Sequence, residues 1–241
     1  MTAKDKNMDD QNHNLIIRKT KALEGADKGK FLRSYLFEGD EVFTEKLDDN
    51  LEIIESKGTL PDGLVKEFFE NGLTYFECPF KNGKREGTSR IFYETGKINV
   101  EKEYTGGMLN GAAYVYYPTG RLREEFSYVK DIENGRRLKY YPSGKIMEAA
   151  DYKNGFLNGS FKSYDEDGTL ISEAVYEKDN IIGDKITYHK NGTIAMISPY
   201  KKGKAHGMTK KYSETGQLQE EWLFEEGQLK SKKDYTLNEN P

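Results

Sequence analysis

The chain has 241 residues, of which 35% are apolar and 32% charged, with 17 Tyr and 12 Phe. That is too many aromatic residues for a disordered chain and lean for a conventional two-layer globule. The 37 basic and 41 acidic side chains leave a formal charge of -4, which gives no global field toward nucleic acid or anionic lipid, and the single cysteine, Cys78, excludes an internal disulfide and a multi-cysteine zinc site.

Residues 1–13 are dominated by Asn, Asp and Lys and read as a disordered tail. No apolar segment follows the start, so no signal peptide or membrane span is expected in the chain as given, and cytoplasmic is the default localisation unless a signal has been removed. Residues 14–62 read as an N-terminal cap containing a degenerate repeat. Its apolar runs, Leu15-Ile16-Ile17, Phe31 to Phe37, Val42-Phe43 and Leu51 to Ile54, are expected to be strands, with a helix over 21–35 as the alternative. Gly39 falls one period before Gly63, as a unit covering the open edge of an array would.

From Gly63 the chain repeats every 24 residues. One glycine ladder runs Gly63, Gly87, Gly111, Gly135, Gly159, Gly183 and Gly207, and a second runs Gly72, Gly96, Gly120, Gly144, Gly168, Gly192 and Gly216. A third, Gly83, Gly107, Gly155, Gly203 and Gly227, has Asp131 and Asp179 in its two missing places. Three ladders in phase identify seven repeats over 63–235, followed by a tail over 236–241.

Each second-ladder glycine ends a three-residue turn such as Pro142-Ser143-Gly144, the chemistry of a hairpin loop whose last residue is left-handed. The turns between units, such as Lys81-Asn82-Gly83, suggest the same chemistry at the other end. Counting outward sets Tyr116 opposite Leu122, Tyr140 opposite Ile146 and Tyr188 opposite Ile194, aromatic against aliphatic. Simple alternation then puts the column Phe80, Tyr104, Tyr128, Tyr152, Tyr176, Tyr200 and Phe224 on the face of those pairs. The fold expected is all-β: an elongated, twisted, single antiparallel sheet of tandem hairpins with a less regular N-terminal cap.

The second face is expected to carry Phe69, Tyr93, Tyr117 and Tyr141, a position that becomes Asp165, His189 and Ser213 later in the chain. Ile91 and Val115 widen its apolar part. Packing of identical hairpins supplies no evident reason for the stripe to stop, so these six residues are the candidate partner-binding surface. The competing reading is that the N-terminal segment, with Phe31, Tyr35, Leu36 and Phe37, folds back over it.

The units resemble MORN repeats, in particular the bacterial MORN-repeat variant class. The resemblance rests on Tyr104-Thr105-Gly106-Gly107-Met108-Leu109-Asn110-Gly111, Tyr152-Lys153-Asn154-Gly155-Phe156-Leu157-Asn158-Gly159 and the Tyr-Tyr-Pro turns, across about residues 60 to 235. Ala113, Arg137 and Phe161 stand where the eukaryotic form commonly has a second glycine, which favours the variant class. The resemblance implies an interaction sheet, antitoxin or immunity roles with a toxin as partner in bacteria, and links to membranes, kinases and a lysine methyltransferase in eukaryotes.

No nucleophile elbow, phosphate loop or metal-ligand spacing is present, so no enzyme activity, metal or cofactor is expected. Glu77, Glu101, Glu125, Glu173 and Glu221 recur once per unit and read as a solvated charge ladder. A protein partner is expected and nucleic acid is not. The alternative is a peripheral membrane or scaffold protein that meets anionic lipid through Lys201, Lys202, Lys204, Lys210, Lys211, Lys230, Lys232 and Lys233.

The turn assignment makes a direct prediction: Gly144→Val lowers the melting temperature more than Lys145→Ala, because a branched Cβ resists the left-handed conformation. Thermal denaturation of the two variants checks it, and equal melting temperatures contradict it.

Overall fold

The structure, a computed structural model, describes residues 14–23, 28–48, 50 and 52–236. The expected tails over 1–13 and beyond Thr236 lie outside the described residues, apart from Thr236 itself. The described chain is all-β and contains no α-helix. It divides into two compact units, residues 1–108 and 109–241.

The first unit contains β1 (Asn14–Ala22), β2 (Phe31–Phe37), β3 (Asp40–Leu47) and β4 (Ile53–Gly58), followed by β5 (Gly63–Phe68), β6 (Thr74–Lys81), β7 (Lys84–Arg85), β8 (Gly87–Phe92) and β9 (Ile98–Thr105). The first three apolar runs of the cap therefore lie in strands and the fourth supplies Ile53 and Ile54 to β4, while the described residues of 21–35 contain no helix. Pairing is antiparallel along β4–β3–β2–β1 and along β5–β6–β8–β9. The two halves join where β1 runs parallel to β5, with Leu15 beside Val65. A purely antiparallel sheet is thus corrected to a mixed one. Leu15, Tyr35, Leu60 and Val65 form a buried cluster there, backed by Ile17, Phe37, Val42, Phe43, Phe76 and Phe80.

The second unit takes in β10 (Met108–Tyr116), whose first residue precedes it, then β11 (Leu122–Val129), β12 (Ile132–Glu133), β13 (Gly135–Tyr140) and β14 (Ile146–Lys153). It continues through β15 (Phe156–Tyr164), β16 (Leu170–Glu177), β17 (Asn180–Tyr188), β18 (Ile194–Lys201), β19 (Lys204–Ala205), β20 (Gly207–Tyr212), β21 (Leu218–Glu225) and β22 (Gln228–Asp234). Its pairings are all antiparallel between sequence neighbours, with the short β12 and β19 beginning β13 and β20.

Every hairpin closes as its turn chemistry requires. The Tyr141 N–H donates to the Lys145 carbonyl at 2.9 Å, and the Gly144 N–H returns to the Tyr141 carbonyl at 2.8 Å. Gly144 has φ +93 and open space where a Cβ would stand, so its requirement is conformational and not steric. The turns at the other end differ from the sequence expectation. They are two-residue loops with both residues left-handed, such as Asn82 (φ 51) with Gly83 (φ 69) and Lys130 (φ 50) with Asp131 (φ 66). This is the type I′ geometry, whose twist matches that of the flanking strands.

These two-residue turns stitch hairpins together. The N–H of the second turn residue donates to a carbonyl of the preceding hairpin: Gly107 to Arg85, Asp131 to Leu109, Gly155 to Glu133, Asp179 to Leu157, Gly203 to Ile181 and Gly227 to Ala205, at 2.8 to 3.1 Å. The N–H of the first turn residue is taken by a side chain placed before six of the seven first-ladder glycines: Asp62, Glu86, Asn110, Asn134, Asn158 and His206. Where aspartate replaces glycine, its carboxylate accepts one further N–H, that of Leu109 at Asp131 (2.7 Å) and that of Leu157 at Asp179 (2.8 Å). The added bond offsets the cost of a left-handed non-glycine residue.

Among the described residues of the second unit, side chains are buried against their lateral neighbours in the sheet. One row shows how: Ala113 opposes Phe126, Arg137 opposes Ala150, Phe161 opposes Ala174, Lys185 opposes Ser198 and Thr209 opposes Trp222. Within each hairpin a small residue faces a large one, and Ala113, Ala150, Ala174, Ser198 and Thr209 are buried.

Asp131 gives a prediction about this balance. Asp131→Ala loses the carboxylate bond and keeps an unfavourable φ, costing roughly 1–3 kcal/mol, whereas Asp131→Gly loses the bond but relieves the backbone, costing less than about 1 kcal/mol. Urea unfolding should rank them in that order.

Candidate functional site

The hairpin register confirms the expected pairs, Tyr116 with Leu122, Tyr140 with Ile146 and Tyr188 with Ile194. One residue further on it slips. Val115 pairs with Glu124, so Arg123 is an extra residue, and the same slip recurs in each hairpin from β5–β6 to β20–β21. A bulge of this kind inverts the alternation beyond it. The column Phe80, Tyr104, Tyr128 and its later members is therefore opposite the first-ladder glycines, on the face that bears Ile91 and Val115, and not on the face of Tyr116 or Tyr140. The division into a packing face and a separate stripe face is corrected accordingly.

In the first unit, Ile91 pairs with Phe76 on one side and Val100 on the other. Phe69 meets Tyr75 edge-on at 5.1 Å. At that turn Phe68, Phe69 and Tyr75 line a shallow cleft of about 510 Å³, rimmed by Glu67, Glu70 and Glu94. Tyr93 starts the next turn, its N–H on the Lys97 carbonyl. Phe31, Tyr35, Leu36 and Phe37 do not cover these residues: they are strand β2, hydrogen-bonded within the sheet between β1 and β3.

In the second unit, Val115 is buried and serves packing. Tyr117 and Tyr141 are half-buried, and each hydroxyl donates to a carbonyl of the following hairpin, Tyr117 to Tyr140 at 2.7 Å and Tyr141 to Tyr164 at 2.8 Å. His189, at the same position two units later, reaches the Tyr212 carbonyl at 2.9 Å. Asp165 turns inward, accepting the Asp167 and Thr169 N–H groups, and Ser213 accepts the Gln217 N–H. Tyrosine, histidine, aspartate and serine thus all satisfy this corner, by hooking the next hairpin or capping their own turn. The hydrogen bonding of this corner is therefore answered without an aromatic ring.

The opposite face carries the recurring glutamates, and they are engaged. Arg90 donates to Glu101 at 2.6 Å and to Glu77 at 3.2 Å. Tyr140 donates to Glu125, Tyr188 to Glu173 at 2.6 Å and Tyr235 to Glu221 at 2.6 Å, while Lys162 lies 3.1 Å from Glu173. The sequence signal was available: each tyrosine follows its glutamate by 15 residues or nearly so. Among the described residues, no three His, Cys, Asp or Glu side chains stand together as a metal site.

Part of the basic charge of the C-terminal units is compensated. Lys211 and Lys232 both bind Glu220, at 2.8 and 2.6 Å, and together with the Trp222 N–H they hold its carboxyl down at about 2. In the preceding hairpins the Arg137 guanidinium lies over Phe126 at 4.6 Å and Tyr152 at 5.4 Å, between Glu124 and Glu133. Burial pushes the Glu133 carboxyl up.

The MORN repeat variant profile matches residues 61–82, 85–105, 109–130, 133–154, 157–178 and 205–226, together more than half of the chain. The chain belongs to the MORN repeat variant family. No curated protein matches it. The β17–β18 hairpin lies outside the matched segments, yet has the same register and turn as the other MORN hairpins. It departs from them at Ile182, which replaces the side-chain acceptor found at Asn110, Asn134 and Asn158.

The tyrosine–glutamate contacts predict a pH dependence. The Tyr188 hydroxyl, and then Lys162, hold the Glu173 carboxyl below its ordinary 4.5, while the same hydrogen bond and then burial push the Tyr188 phenol up from 10.0 to about 12. A depressed carboxylate contributes stability above pH 4.5 that is lost as pH falls through its folded pKa, and a raised phenol contributes below pH 10.0 and is lost toward about 12. The stability difference between wild type and Tyr188→Phe should therefore be largest near neutrality, below about 1 kcal/mol for this half-exposed pair, and shrink at both extremes. Urea midpoints across pH measure it.

Proposed function

We propose that the chain is a noncatalytic protein-binding repeat protein of the antitoxin or immunity type, which holds a partner protein, a toxin, through the aromatic positions of its hairpin corners. One observation carries this reading. The corner position is satisfied equally by Tyr141, His189, Asp165 and Ser213, so the fold does not require an aromatic ring there. Aromatic residues at Phe69, Tyr93, Tyr117 and Tyr141 then supply contact area of the type that dominates protein interfaces. Of the two aliphatic members of the candidate surface, Ile91 is half-buried and Val115 is buried. The cleft at Phe69, aromatic with a carboxylate rim, suits a basic side chain of the partner.

The test copies a substitution that the fold already accepts. Tyr117→His and Tyr141→His should leave the melting temperature within a few degrees, because His189 makes the equivalent bond, while weakening the partner by about ten-fold each. Titration against the product of an adjacent toxin gene, together with rescue of growth on co-expression, gives the readout. Unchanged affinity in both variants and in Tyr93→Ser removes the aromatic surface from the mechanism. Flotation with anionic vesicles, lost when Lys201, Lys202 and Lys204 become Gln, would instead support the membrane reading, which the compensation at Glu220 disfavours.

A further inference from the structure

The two strands that pair on one side alone differ in how they treat their free edge. Among the described residues β22 pairs only with β21 and β4 only with β3. β22 carries Lys230, Lys232 and Lys233 within seven residues, the usual protection of an edge against a further strand. β4 has no such protection. All six of its residues are exposed, including Ile53 at 58% and Ile54 at 49%, and Lys57 is its one lysine.

The surroundings of β4 specify what would fit beside it. The pairs Leu47–Ile53, Glu45–Ser56 and Phe43–Gly58 set one face of the β3–β4 hairpin, and Lys46–Glu55 and Thr44–Lys57 set the other. On the first face a cleft of about 610 Å³ opens beside Ile53 and Gly58, with Tyr35, Phe43, Leu60 and Phe80 as its apolar walls. Of the charged groups lining it, Glu45 accepts from Tyr35 at 2.8 Å and from Arg33 at 3.1 Å, Asp62 accepts the Asn82 N–H, and Arg85 donates to the Tyr104 hydroxyl. On the second face Glu55 is exposed, its contact with Lys46 a loose 3.9 Å. Residues 40–58 as a whole hold seven Asp or Glu against two Lys. A strand added to β4 would therefore present alternate residues to an apolar cleft and to carboxylates.

We propose that β4 is a strand-addition site for an extended segment of a partner protein in which apolar and basic residues alternate. Backbone hydrogen bonds from the free edge supply affinity, and the two faces read the alternation. The site is separate from the aromatic corners, so it stands or falls independently of the function proposed above. The polar residues 1–13 offer no apolar residue pattern to match Ile53 and its cleft, which disfavours this chain's own start as the occupant.

The probe is a blocked peptide of strictly alternating valine and lysine, as long as β4, titrated into the full chain at physiological ionic strength. Its control has the same composition with the valines and lysines in two blocks. The alternating peptide should bind about ten-fold tighter than the control, slow amide exchange across 53–58, and lose about ten-fold with Ile53→Ser or with Glu52→Lys combined with Glu55→Lys. Equal binding of both peptides reduces the contact to charge attraction and overturns the proposal, as does unaltered exchange across β4. Protection of β4 in the isolated chain that vanishes on deleting residues 2–13 would assign the edge to the chain's own start. Self-association abolished by Ile53→Lys would assign it to a second copy. Either result also overturns the proposal.

Discussion

The structure depends on one recurring hydrogen bond, in which a left-handed turn residue donates its N–H to a carbonyl of the hairpin before it, as Gly107 does to Arg85 and Asp131 to Leu109. A type I′ turn alone fixes the register within a pair of strands. This bond also fixes where the turn sits against the previous hairpin, so the position of each unit is set by its predecessor. The side-chain acceptors Asp62, Glu86, Asn110, Asn134, Asn158 and His206 satisfy the other turn N–H, which would otherwise compete for the same carbonyl or be left to solvent. Glycine spacing and polar spacing are thus parts of one device.

In the second unit side chains are buried laterally, against neighbours within the sheet. Facing pairs of a small and a large residue, Ala113 with Phe126, Ala150 with Arg137 and Ala174 with Phe161, bury the small member of each. On the other face, tyrosine hydroxyls from one hairpin end on glutamates of the last, joining neighbours without apolar area. Both faces accept varied residues so long as size and hydrogen bonding are answered next door, and the corner residues Tyr141, Asp165, His189 and Ser213 display that tolerance most clearly.

Much of this was legible in the chain. The glycine ladders gave period, hairpins and the pairs next to each loop, and the apolar runs of the cap gave four strands. The bulge was not legible, because the extra residue is Tyr75, Asn99, Arg123, Met147, Ile171, Ala195 or Gln219 in successive units, with no common chemistry. Missing it inverted the faces and separated the Tyr128 column from Val115. The parallel partner of β1 was equally hidden, since nothing local to Leu15 names Val65, and the cap pattern fits any neighbouring strand. For the candidate surface, the sequence located the aromatic positions but not their hydrogen bonds, which depend on a carbonyl one hairpin away.

The β1–β5 pairing sets an order of assembly during synthesis. Each repeat hairpin needs only its own residues and the adjacent unit, so it closes soon after it leaves the ribosome, at small loop entropy. Leu15 has no such option: β1 can pair with β2 at once, but its other edge must wait for Val65. Until then β1 keeps an apolar edge open, and the crossover carrying Leu60 has nothing to cover. β1 is therefore completed by later sequence, which places a window for misfolding between the synthesis of β1 and that of β5.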